Sequence, residues 1–285
     1  MSEAVTAAGL YIDHKGHRTW LKWHRGRRTI TDIPFTAARI AEGMRLGASV
    51  EIDLLRFAGE GFVVLHDEDL NPATTGRGSV AEASRDILQS LFFRRSDGTA
   101  SSDPVFLLDD LIDLIKQEGA HPDACLQLDM KSDSSEIREQ DILAFVRAVK
   151  PMASSMILSA GDAEAVTRLS DALPDLPIGY DPCHFGAIPR LMESRDFEGF
   201  VEGACLASPN AQMMYLEHQL VLFADAQGFD LTGALHERGC RVDAYTINRA
   251  VPEVLPIVGR LLELGVDQIT TDDPIGLEAL IKRSR

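Results

Sequence analysis

Residues 49–54 read Ser-Val-Glu-Ile-Asp-Leu (SVEIDL), a short apolar run rich in β-formers that carries two acids. Glu51 and Asp53 stand two apart, so in a strand they share one side. Seven similar runs flank it: Thr19–His24 (TWLKWH), Cys125–Met130 (CLQLDM), Ser155–Ser159 (SMILS), Leu176–Tyr180 (LPIGY), Gly203–Ala207 (GACLA), Arg241–Ile247 (RVDAYTI) and Asp267–Thr271 (DQITT). Between them lie segments with apolar residues three and four apart, the helical period: Phe35–Leu46, Val105–Glu118, Ser135–Val149, Asp162–Leu173 and Val254–Leu264. Eight strands alternating with helices predict an α/β fold, a (β/α)8 TIM barrel. A doubly wound open sheet is the alternative, but no Gly-rich nucleotide turn accompanies these strands.

The 285 residues suit one barrel domain, 1–285. Residues 67–103 break the alternation, and NPATTGRGS within them is rich in turn formers. A loop of this length is usually functional or disordered, and it follows FVVLHD directly. It is read as a small insertion after the second strand, overhanging the site. A formal charge of −16 excludes general binding to nucleic acid or to anionic membranes, because the far field repels polyanions. The opening MSEAVTAAGLYIDHKGHRTW contains no long apolar segment, and no run approaches the eighteen apolar residues of a membrane span. Cys125, Cys183, Cys205 and Cys240 lack paired close spacing and are expected to be free thiols, in keeping with a cytoplasmic protein.

In a parallel barrel, chemistry gathers at the C-terminal ends of the strands. The first predicted strand ends in His24 and Arg25, the second carries Glu51 and Asp53, and the third offers Asp129 and Lys131. FVVLHD brings His66 to the end of a hairpin whose turn is Gly59 to Gly61. Singly, each of these residues is ordinary: a strand acid is usually solvated or half of an ion pair, and a histidine is usually structural. Together they are not, since burying three carboxylates without cations is very costly. Glu51, Asp53 and Asp129 suit a hard divalent cation, Mg²⁺ or Ca²⁺. Two histidines beside a metal, with Arg25 and Lys131 as further cations, describe a site for an anionic phosphoryl group. The cationic knot in LKWHRGRR (Leu21–Arg28) would then make the mouth of an acidic protein locally attractive to phosphate.

The series WHRG, EIDL, VVLHDEDL…TTGRGSV, LQLDMK, AYTIN and GVDQITTDDP resembles the glycerophosphodiester phosphodiesterase family in order and spacing, from about His24 to Pro274. The resemblance implies a TIM barrel with a small insertion, His24 and His66 as an acid/base pair, Arg25 at the phosphate and Lys131 beside the metal. It further implies Glu51, Asp53 and Asp129 as metal ligands, and Tyr245 near the organic part of a small-molecule phosphodiester substrate. Hydrolysis would then release an alcohol and glycerol 3-phosphate, with His66 as acid and His24 as base. A phospholipase D-like lipid phosphodiesterase and a non-catalytic phosphate-binding barrel are the rival readings. The chain departs from the family in three places: DIPFT (Asp32–Thr36) stands for PENT, Asp129 for the usual Glu of EIK, and Pro72-Ala73-Thr74 for RTT.

Overall fold

Along Ser49–Arg56 the chain pairs in parallel with His17–Trp23 on one side and with Cys125–Met130 on the other. The computed structural model describes residues 7–285; the first six lie outside it. The barrel strands in chain order are β1 (His17–Trp23), β2 (Ser49–Arg56), β3 (Cys125–Met130), β4 (Met156–Ala160), β5 (Gly179–Tyr180), β6 (Met213–Glu217), β7 (Arg241–Ile247) and β8 (Gln268–Thr271). Each pairs in parallel with the next, β8 returns to β1, and a bridge between Leu158 and Ile178 joins β4 to β5. This is the (β/α)8 barrel that the alternation predicts.

The sixth strand is not where the sequence places it. Gly203–Ala207 ends the helix Phe197–Ala207, and the strand is Met213–Glu217. A short apolar run does not by itself distinguish the two conformations. Here Phe197, Val201 and Ala204 recur at helical spacing and are buried, and the Asp196 side chain caps the start by accepting from the Gly199 N–H at 3.0 Å. MMYLE contains no β-branched residue, and its strand conformation comes from parallel pairing with β5 and β7. The fifth strand is also shorter than LPIGY, because only Gly179–Tyr180 forms regular strand.

Alternation divides each strand between two environments. Val50, Ile52, Leu54, Leu126, Leu128 and Leu158 join one buried apolar cluster, while Leu21, Met214, Leu216, Val242 and Ile269 join another. Both belong to the layer between the barrel wall and its helices. The intervening residues Lys22, Gln127, Ser159, Asp243 and Thr270 are buried and bonded to one another. The barrel is therefore lined with polar groups and held together from outside.

Residues 67–104 are folded. They include the helix Arg85–Gln89 and a ribbon pairing Phe92–Arg94 with Ala100–Pro104. Leu70, Val80, Leu88 and Phe93 extend the first apolar cluster, and Phe93 packs on Phe35 with ring centroids 6.2 Å apart. All four cysteines are free, and no described helix is long and apolar enough to cross a membrane.

The helix Ala37–Leu46 lies close against β1 and β2 because Gly43 has no side chain. A Cβ there would fall 2.7 Å from Val50 Cγ2 and 3.1 Å from two atoms of the Trp23 ring. Alanine normally gains about 0.8–1 kcal/mol over glycine inside a helix. We expect Gly43→Ala to lower the melting temperature nonetheless, with coupling of at least about 0.5 kcal/mol to Val50→Ala in a double-mutant cycle. A raised melting temperature would show that the helix does not depend on this close approach.

Candidate active site

The chain leaves β1 through a turn that only a few residue types permit. Arg25 and Gly26 both have left-handed backbones (φ 55° and 67°). A Cβ on Gly26 would lie 2.7 Å from Ile40 Cγ1. The Phe35 N–H donates to the Arg25 carbonyl at 2.7 Å, and the Arg25 N–H donates to Glu51 Oε2 at 2.7 Å. His24 is thereby directed into the mouth of the barrel. Its Nδ1 lies 2.5 Å from Asp272 Oδ1, just past the end of β8. The carboxylate, which the Arg27 guanidinium also binds, only accepts, so Nδ1–H is the donor in this bond and Nε2 keeps its lone pair. Burial pushes the His24 pKa down and outweighs the opposing pull of Asp272. This imidazole is held neutral.

Glu51, Asp53 and Asp129 each offer an oxygen, and the three oxygens lie within 4.8 Å of one another. Glu51 and Asp53 are buried. Two cations face the three acids: Arg25 Nε is 3.3 Å from Asp53 Oδ2, and Lys131 Nζ is 3.2 Å from Asp53 Oδ1 while also binding Asp129. Two positive charges leave the cluster one short. Burial, followed by repulsion from Asp53 and Asp129, raises Glu51 well above the usual carboxylate range. Burial also opposes ionisation of Asp129, but Lys131 and the Ser159 hydroxyl outweigh it and keep that acid below its usual value. Asp53 Oδ2 is buried without a hydrogen-bond partner. A carboxylate oxygen left in this condition, among carboxylates with raised and lowered affinity for protons, fits a divalent cation held by oxygens.

Beneath the triad, Lys22 sets a direction. It is buried, paired with Asp243 at 3.2 Å, and bonded to Gln127. An ammonium only donates, so the Gln127 carbonyl faces Lys22 and its amide nitrogen faces Ser159, at 2.8 Å. The Ser159 hydroxyl accepts from that amide and sends its own proton to Asp129 Oδ1, at 2.6 Å. The orientation of Asp129 thus depends on a chain of donors reaching down to the middle of the barrel.

His66 follows the strand Phe62–Val64, which pairs antiparallel with β2. Its Nδ1 lies 2.7 Å from Asp67 Oδ1. Tyr245, on β7, donates its hydroxyl to Asp181 at 2.8 Å. His24, Arg25, Glu51, Asp53, His66, Asp129, Lys131 and Tyr245 all line one open cleft of about 260 Å³ at the C-terminal ends of the strands. No residue from 67 to 104 lines it, and within that segment Phe93 packs on Phe35. Sequence reasoning passed over Lys22, Gln127, Ser159, Asp181, His184 and Asp272. Asp181 and Asp272 directly follow barrel strands, so the rule that singled out His24 applied to them as well.

The sequence matches the model of the glycerophosphoryl diester phosphodiesterase family over residues 24–275. No curated protein matches it at a significant level. Among solved structures, a protein from Silicibacter pomeroyi with a provisional glycerophosphoryl diester phosphodiesterase name is 19% identical, with a TM-score of 0.70 over 93% of this chain and 94% of that one. An Oleispira antarctica phosphodiesterase in complex with its product sn-glycerol-3-phosphate is 20% identical, with a TM-score of 0.66 over 92% and 96%. A Thermotoga maritima glycerophosphodiester phosphodiesterase is 17% identical, with a TM-score of 0.63 over 96% and 100%. At these identities the structural likeness is one of fold. The match across nearly the whole chain is decisive, and this protein belongs to the glycerophosphoryl diester phosphodiesterase family, a family of phosphoric diester hydrolases.

Proposed function

We propose that this chain hydrolyses small glycerophosphodiesters to an alcohol and glycerol 3-phosphate, using His24 and His66 as the proton-transfer pair. One observation carries the reading: two histidines, each bonded through Nδ1 to a carboxylate, share a cleft with a buried acidic triad and two cations. The Oleispira relative, bound to sn-glycerol-3-phosphate, supports the product class. Four free thiols agree with a cytoplasmic setting.

Arg25 and Lys131 attract the phosphodiester anion and hold its non-bridging oxygens. A divalent cation, Mg²⁺ or Ca²⁺, held by Glu51, Asp53 and Asp129 would supply further neutralisation of phosphoryl charge. His24, neutral and with Nε2 unprotonated, takes the proton from the neighbouring glycerol hydroxyl that attacks phosphorus, and Asp272 stabilises the imidazolium that results. With roles exchanged, His24 and His66 then add water to the cyclic phosphodiester to give glycerol 3-phosphate. His66, with its Nδ1 turned to Asp67, carries the proton for the departing alkoxide on Nε2. Tyr245 flanks the organic group, its hydroxyl committed to Asp181.

Metal removal is the first test. Chelation should abolish turnover and lower the melting temperature, and metal at a hundred times its Kd should restore about 2.7 kcal/mol of stability. Full activity in metal-free protein would end this reading. The pH profile is the second. A base must be neutral to act, and His24 is held below the ordinary histidine value of about 6.5, so the acid limb of kcat/KM should be centred below that value. Because folded His24 binds its proton less readily than unfolded His24, this group's contribution to stability is present above the ordinary value and lost as pH falls. An acid limb at or above 6.5 would remove His24 as the titrating base.

The third test addresses the donor chain. Ser159→Ala removes the bond to Asp129 Oδ1 and should weaken metal binding by about tenfold or more in titration calorimetry, whereas Ser159→Thr should retain most of it. Equal affinities in the alanine variant and the parent would show that Asp129 needs no such support.

A further inference from the structure

The cleft holds a second acid–histidine pair that this mechanism leaves unused. Asp181 directly follows β5 and is buried. Its Oδ1 accepts from the Cys183 N–H at 2.8 Å. Its Oδ2 accepts from the Tyr245 hydroxyl at 2.8 Å and lies 3.0 Å from His184 Nε2. Both oxygens are committed, so this carboxylate offers little to a cationic ligand. The His184 ring is seated over Gly161, where a Cβ would approach its Cδ2 to 2.3 Å, and its side chain is 46% exposed. The pair therefore buries its carboxylate and presents its imidazole to the cleft.

His184 and His24 differ in their affinity for a proton. The hydrogen bond that His184 donates to Asp181 raises it above the usual histidine value despite partial burial, whereas His24 is lowered. Lys131 and Asp129 act on His184 in opposite senses. Arg25 and Lys131 are tied to Asp53 and Asp129 on the other wall, where the phosphoryl group is placed. His184 and the Tyr245 ring are left to meet what hangs from the phosphorus. An ammonium group there would face a histidine that donates to Asp181 and find no free oxygen on that carboxylate.

Resting on the hydrolase reading, we propose that Asp181, His184 and Tyr245 form a leaving-group subsite that selects alcohols bearing a negative charge, a carboxylate or a phosphate, over neutral or ammonium-bearing ones. The subsite acts on binding and orientation and takes no part in proton transfer.

The test uses an isosteric pair, the glycerol phosphodiesters of 3-hydroxypropanoate and 3-hydroxypropanamide, with the choline diester as the cationic member. With metal present, kcat/KM should favour the carboxylate over the amide roughly three- to tenfold, the worth of a half-exposed ion pair, and should be lowest for choline. His184→Gln should bring the ratio close to one, and Asp181→Asn should reduce it by weakening the charge on the imidazole. A parent ratio at or below one, or a ratio unchanged by His184→Gln in a variant that melts like the parent, would overturn the subsite. If none of the diesters is turned over, the hydrolase reading falls. Titration calorimetry with the same two diesters then decides the subsite, which requires the carboxylate compound to bind more tightly and overturns if it does not.

Discussion

Glu51, Asp53 and Asp129 bring three carboxylates to within 4.8 Å of one another at the top of a barrel that excludes most water from two of them. Charges so placed repel strongly and lose their hydration, and a fold keeps them only if cations and donors surround them. Much of the local structure answers that requirement. The left-handed turn at Arg25 and Gly26 points a backbone N–H at Glu51, Arg25 and Lys131 flank Asp53, and Ser159 supports Asp129. The balance remains one positive charge short. That deficit suits the three carboxylates to a divalent cation.

The same logic reaches down the barrel. Lys22 and Asp243 form a buried pair whose ammonium also lies 4.3 Å from the centre of the Tyr215 ring. Replacing such a pair with apolar residues is often neutral or stabilising elsewhere, so its presence here asks for a reason beyond stability. The direction it imposes on Gln127 and Ser159 is one. The polar interior acts as a second layer that orients the residues at the mouth, while the apolar clusters outside the wall supply the hydrophobic stabilisation.

Three histidines line the cleft, and three environments separate them. Burial lowers the proton affinity of His24 despite Asp272, hydrogen bonding to Asp181 raises that of His184, and His66 stands half-exposed beside Asp67. Identical side chains thus acquire different proton affinities through differences in desolvation and partner alone.

The alternation of strands and helices, the spacing of Glu51 and Asp53, and the ionisable ends of β1, β2 and β3 were legible in the sequence because they follow from local periodicity. Residues two apart share a side of a strand wherever that strand lies. All eight residues singled out from sequence do meet in one cleft. The sixth strand was not legible, because MMYLE becomes a strand only through its neighbours, and GACLA is helical in a context that its five residues do not contain. Nor was the seat of the insertion, whose buried residues join a cluster assembled from distant segments. Asp181, His184 and Asp272 have partners up to 248 positions away, and whether each imidazole is neutral or charged depends on those partners and on burial. Local sequence therefore determined which groups stand at the strand ends. Closure of the barrel alone decided which of them touch, which are dry, and which carry a proton.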